Sequence, residues 1–256
     1  MPEASSAQLI QTGGMAMSAL ELGHISSGIV VFVMCVLGVM LTAHYIRKRH
    51  THTLWWAVAF WLAFLAAVTD FMSYQIGGWT LWQYRIYLFA AASLVAYMGA
   101  GTIYLFSSRI GKMYVLVMSA VAAALLVTLA STAYPDVTKF SAGEQAAAFI
   151  PVGVAAYFGI LSGVGALALF GGAIYSWIKS RQSYNLWIAL GALIFSVGGA
   201  VGNAVGIYQL FYVFQAAGSL VLYYGIVQTF SRKVRADNGA ASQSEAAASG
   251  SAQNKE

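Results

Sequence analysis

Residues 54–76 read LWWAVAFWLAFLAAVTDFMSYQI, an apolar run of 23 residues with one charge, Asp70. At a rise of ~1.5 Å per residue such a run reaches about 34 Å as a helix, enough to cross a hydrocarbon core of ~30 Å. A run of this length is read as a membrane-spanning helix. A short connection follows it, and a second long apolar run starts at Trp82. The same signature recurs along the chain at Leu22–Ile46, Leu54–Ile76, Trp82–Phe106, Met113–Tyr134, Phe149–Trp177, Tyr184–Tyr208 and Gln209–Phe230. The fold class is therefore all-α, a polytopic membrane protein with seven transmembrane helices. The last two runs nearly fuse at Gly206-Ile207-Tyr208-Gln209, which makes that turn the least distinct boundary.

Composition agrees: 60% of the 256 residues are hydrophobic and 8% charged, against about 25% charged in soluble domains. Residues 1–21 form an extracytoplasmic N-terminal segment, 22–230 the helical domain and 231–256 a cytoplasmic tail. The tail, rich in Ala, Ser, Gly and Gln, is too polar to offset chain entropy by burial, so it is expected to be disordered. At 27.2 kDa the spans leave no room for a separate catalytic or nucleic-acid-binding domain. Met1–Leu20 holds no Lys or Arg, so the first span is expected to be retained rather than cleaved as a secretory signal. The single Cys35 excludes an intramolecular disulfide and a cysteine metal site.

The formal charge of +5 is explained by topology, with no nucleic acid required. Arg47, Lys48, Arg49, Arg109, Lys112, Lys179, Arg181, Arg232, Lys233, Arg235 and Lys255 fall on one side, Arg85 and Lys139 on the other. Basic loops stay cytoplasmic, which predicts an outside N-terminus and a cytoplasmic C-terminus in the cell membrane. Trp79 and Trp82 at the outer ends, and Trp55, Trp56, Trp177 and Trp187 at the inner ends, read as interfacial belts.

Asp70 is the one acidic residue inside a span, where a charge costs ~2.5–3.5 kcal/mol or more. Arg85 in the next span lies at a comparable depth, so the two are candidates for an ion pair. That pair is either a helix lock or part of a proton-coupled or ligand-contacting site with Tyr74, Gln75, Tyr84 and Tyr87. Asn203 and Gln215 are polar amides in the last two spans, read as interhelical glue or as pocket lining. Gly159 and Gly163, then Gly198, Gly202 and Gly206, recur at four-residue spacing and are expected to permit close packing, a dimer contact or a sliding surface. His24 reads as a solvated residue at the outer rim. His24 and His44 lie ~30 Å apart on one helix, and no facing histidine exists in another span, so haem is disfavoured. No intramembrane cluster of carboxylates and His suggests a metal site, no Ser-His-Asp set is assembled at one depth and no cofactor is expected, so an intramembrane enzyme stays open only as a third reading behind the two below.

Leu54-Trp55-x-Ala57 recurs as Leu186-Trp187-x-Ala189 at an offset of 132, and Phe106-Ser107-x-Arg109 falls near Phe230-Ser231-Arg232 at an offset of 123. A parallel three-plus-one-plus-three repeat accommodates both matches. Seven helices with an outside N-terminus resemble the rhodopsins in topology, but the last span holds no Lys for a retinal Schiff base. The stretches Tyr84-Arg85-x-Tyr87-Leu88, Gly99-x-Gly101-Thr102-x-Tyr104-Leu105, Gly171-Gly172-Ala173-x-Tyr175-Ser176 and Leu190-Gly191-Ala192, followed by Gly198-Gly199, resemble a family of uncharacterised bacterial seven-helix membrane proteins. That resemblance covers spans two to seven, implies no activity, and implies that Arg85 beside Tyr87 belongs to a motif.

The functional expectation is a membrane protein binding or transporting a small lipophilic ligand in an outward-facing cleft near Asp70 and Arg85. The alternative is a non-catalytic structural or interaction subunit of a larger membrane complex. Membrane lipids are the expected partners in either case, with a homo-oligomer or a complex partner compatible with the glycine faces.

Overall fold

The computed structural model describes residues 19–132, 150–180, 186–195 and 211–228. Most of the N-terminal segment, the tail, Asn203 and the glycines at 198, 202 and 206 lie outside the described residues. Five long helices follow one another: α1 (Ala19–Lys48), α2 (Thr51–Ile76), α3 (Leu81–Phe106), α4 (Ser108–Ser131) and α5 (Val152–Ser180). Two further helical segments are α6 (Leu186–Phe195) and α7 (211–228). All five long helices are long and apolar enough to cross a membrane. The described chain is an all-helical bundle of a multi-pass membrane protein.

The connections are tighter than the apolar runs suggest. α3 and α4 are separated by Ser107 alone, whose hydroxyl accepts from the Ile110 N–H at 3.4 Å and caps α4. Arg109 and Lys112, expected in a loop, therefore stand in the first turns of α4. α2 ends at Gly77, which takes φ 73° and ψ 20° and hands its N–H to the Ser73 carbonyl. This left-handed cap suits glycine, which has no Cβ to strain. Thr80 then opens α3 with a reciprocal capping box to Gln83. Those two caps fix α2 and α3 as an antiparallel pair and set the depth of every polar residue near the turn.

α3 is the central strut. Leu94 and Met98 join Met34, Leu37, Phe60, Ala63, Ala216 and Leu222 in one apolar cluster. Tyr84, Tyr87, Leu88, Ala92 and Ala96 join Met118, Leu125, Val154 and Leu161 in a second. The helices meet where side chains are small. A Cβ on Gly165 would strike the Val95 and Ala96 backbone, and one on Gly172 would overlap the Thr102 side chain. The expected glycine face is on the other side of α5: Gly159 and Gly163 have no described atom within 4 Å of an added Cβ. Two residues turn an α-helix by about 200°, so Gly163 points away from the seam that Gly165 enters. Trp79 also departs from the expected belt. It is 2% exposed and packs edge-on against Tyr84 and Tyr87, at ring separations of 6.4 and 5.4 Å. Trp82 keeps an exposed position.

Candidate functional site

Asp70 lies two turns before the end of α2, on the face turned toward α7, and is 4% exposed. The Tyr212 hydroxyl donates to its Oδ1 at 3.2 Å, across 142 residues of sequence. Nearby hydroxyls do not compete. Ser73 Oγ donates to the Asp70 backbone carbonyl at 2.6 Å and Thr69 Oγ1 to the Ala66 carbonyl at 2.8 Å, the usual way a helical Ser or Thr satisfies its donor within its own helix. A phenol on α7 thus supplies the hydrogen bond that the buried carboxyl group needs.

Aromatic rings enclose this contact. Tyr74 meets the Tyr212 ring edge-on at 5.3 Å and stacks on His24 at 6.0 Å with 3° between planes. Its hydroxyl lies over Gly23, where a Cβ would come to 2.5 Å. His24 and Gln75 join side chains at 2.9 Å, the amide donating to the ring nitrogen in the neutral imidazole. His24 is half-buried against Phe71 and Tyr74 and ties α1 to α2, while its contact with Gln75 stays exposed. Tyr87 is buried on α3 with the Trp79 ring edge-on at 5.4 Å.

Arg85 takes a different path. Its Nη2 donates to the Ala130 carbonyl near the end of α4 at 3.5 Å, where the carbonyl end of a helix favours a cation. The expected pairing of Asp70 with Arg85 is not formed. Tyr84, Tyr87 and Leu88 occupy the inward face of α3, and Arg85, one residue round from Tyr84, is carried toward α4. Gln215 sits on α7 one turn beyond Tyr212 and is half-buried. The structure thus brings together Asp70 and Tyr74 from the expected set and sends Arg85 elsewhere.

Tyr212 is the member that sequence reasoning missed. It is one of 15 tyrosines, and only its one-turn spacing from Gln215 hints at a shared face. Further along the same helices, Met34, Phe60, Ala63, Leu94, Met98, Leu169, Ala192, Phe195 and Leu222 line an apolar void of about 30 Å³. Ala63 precedes Asp70 by seven residues, about 10 Å along α2. Among the described residues no group of three or more His, Cys, Asp or Glu comes together as a metal site. A buried carboxyl group with one phenolic donor can hold a proton or accept a polar or cationic group that displaces the phenol. The chain matches no protein-family model, no curated protein and no solved structure.

Proposed function

We propose that this membrane protein binds or moves a small, largely lipophilic ligand, with Asp70 as its polar anchor and Tyr212 as the latch that closes the site. The hydrogen bond between Tyr212 and Asp70 carries the reading, because it joins α2 to α7 through an intramembrane carboxyl group. An ionisable residue at bilayer depth is a default candidate for function. The central void supports the same reading. Its α2 lining, Phe60 and Ala63, and its α6 lining, Ala192 and Phe195, stand at the offset of 132 that relates the two tryptophan motifs. In transporters built from repeats, substrate sites lie at the repeat interface near the midplane.

In this reading α6 and α7 belong to the sixth and seventh spans, and the basic connections face the cytoplasm. At about 30 Å³ the void is an order of magnitude below the ~300–1,000 Å³ of ligand pockets. Binding therefore requires α7 to part from α2, which breaks the Tyr212–Asp70 bond. Purification in mild detergent, followed by mass spectrometry of co-purifying small molecules, tests this. Asp70→Asn and Tyr212→Phe should change the retained molecule or its pH dependence while cooperative melting persists. Identical retention in both folded variants at every pH would remove the ligand site. Orientation is tested separately: in a Cys35→Ala background, cysteines at Thr51 and Ser242 should resist an impermeant thiol reagent in intact cells.

A second reading, an interaction subunit of a membrane complex, is favoured by the α5 face that carries Gly159 and Gly163, where an added Cβ meets no described atom. Small residues on a lipid-facing helix permit close approach by another helix. Loss of a co-purifying protein on Gly159→Leu, with small-molecule retention unchanged, would select it.

A further inference from the structure

At the end of α3 remote from Asp70, a groove runs beside the α3–α5 seam. Ile103, Leu105 and Phe106 face Leu167, Ala168, Gly171 and Tyr175 across a groove of about 490 Å³, a volume within the ~300–1,000 Å³ range of small-molecule sites. Tyr87 and Phe106 are nineteen residues apart on α3, about 28 Å, so this groove is separate from the Asp70 cluster.

Its origin is local. At Gly172 α5 touches the Thr102 side chain, and the neighbouring Gly171, about 100° round the helix, has no described atom within 4 Å of an added Cβ. Contact at one glycine and a notch at the next open a cleft beside the seam. Phe106 and Tyr175 close its end edge-to-face, with ring centroids 5.0 Å apart. The walls are apolar and open sideways, Leu167 being 77% exposed. Both helices are long and apolar enough to cross a membrane, so the opening faces acyl chains rather than water.

The same end is basic. Because Ser107 alone separates α3 from α4, Arg109 and Lys112 follow Phe106 within two helical turns, and both are exposed. Basic residues beside a cleft between transmembrane helices suit anionic headgroups. We propose that the α3–α5 groove binds an anionic phospholipid, one acyl chain lying along Gly171 and the phosphate meeting Arg109 and Lys112.

The test uses the full chain in a neutral detergent, with dioleoyl phosphatidylglycerol, dioleoyl phosphatidylcholine or inorganic phosphate added. Native mass spectrometry and thermal melting provide the readouts. Phosphatidylglycerol should form a one-to-one adduct and raise the melting temperature by roughly 5 °C at saturation. Phosphatidylcholine should do so weakly and phosphate not at all. Gly171→Leu fills the groove and should abolish the adduct; should that variant fail to melt cooperatively, Leu167→Trp narrows the groove from its open wall and should do the same. Arg109→Gln with Lys112→Gln should keep lipid binding but reduce the preference for phosphatidylglycerol roughly 10- to 30-fold. Equal binding of the two lipids by the wild type, an undiminished adduct in both groove-filling variants, or matching stabilisation by phosphate alone would overturn the proposal.

Discussion

Near Leu81 the bundle is closed by polar contacts between helices: Tyr212 to Asp70 joins α7 to α2, His24 with Gln75 joins α1 to α2, and Arg85 to the Ala130 carbonyl joins α3 to α4. From Val95 to Phe106 the α3–α5 seam depends on shape. Gly165 and Gly172 let the two helices approach, and beside Gly172 the neighbouring Gly171 leaves the groove open. In lipid, apolar side chains gain little by leaving the solvent for each other, so association rests on close packing and on hydrogen bonds between helices. This molecule uses the two means at opposite ends of one helix. The polar end is consequently shut around a titratable group, while the packed end is tight at one glycine and open at the next.

The contrast is broken most severely at the packed end. Gly165→Leu should cost about 3 kcal/mol or more, because the colliding atoms are Val95 and Ala96 backbone and cannot move aside. Gly159→Leu on the opposite face of α5 should leave the melting temperature within a degree or two. Similar losses for the two variants in detergent melts would mean that the α3–α5 seam does not rest on Gly165.

At the polar end a smaller loss is expected. Tyr212→Phe keeps the ring packing on Tyr74 and removes the donor to Asp70, for a cost of about 1.5–3 kcal/mol if the carboxyl is ionised. Asp70→Asn retains an acceptor for Tyr212 and should cost less. If Asp70→Asn proves the more damaging of the two, the carboxyl group has a structural partner other than Tyr212.

Smallest of all is the coupling between Asp70 and Arg85. With Asp70 bonded to α7 and Arg85 to α4, the effects of Asp70→Asn and Arg85→Gln should add within ~0.5 kcal/mol. A double variant clearly more stable than the sum of the singles would restore the ion pair expected from their shared depth.

Depth along a span was legible in the sequence because rise per residue is fixed, and Asp70 and Arg85 do lie near one turn. Direction was not. Near the start of α3, Tyr84 and Arg85 differ by one residue and about 100°, which separates the core from the α4 seam. Gly163 and Gly165 differ by two residues, and the spacing rule selected the member that faces away. Tyr212 was hidden for another reason: 142 residues separate it from Asp70, and no local pattern distinguishes it from other tyrosines in apolar runs.

The sequence by itself determined that this is an all-helical membrane protein with Asp70 as its one buried acidic residue among the apolar runs, since run length and charge scarcity are properties of the chain that a bilayer reads directly. The short connection between α2 and α3 was legible as well, while its left-handed cap at Gly77 and capping box at Thr80 emerged in the structure. Which side chain meets Asp70, which glycines touch α3 and where a cleft remains were decided only in the tertiary structure. Those outcomes depend on how each helix is rotated about its axis, and that rotation is set by simultaneous packing against several neighbours rather than by any one segment.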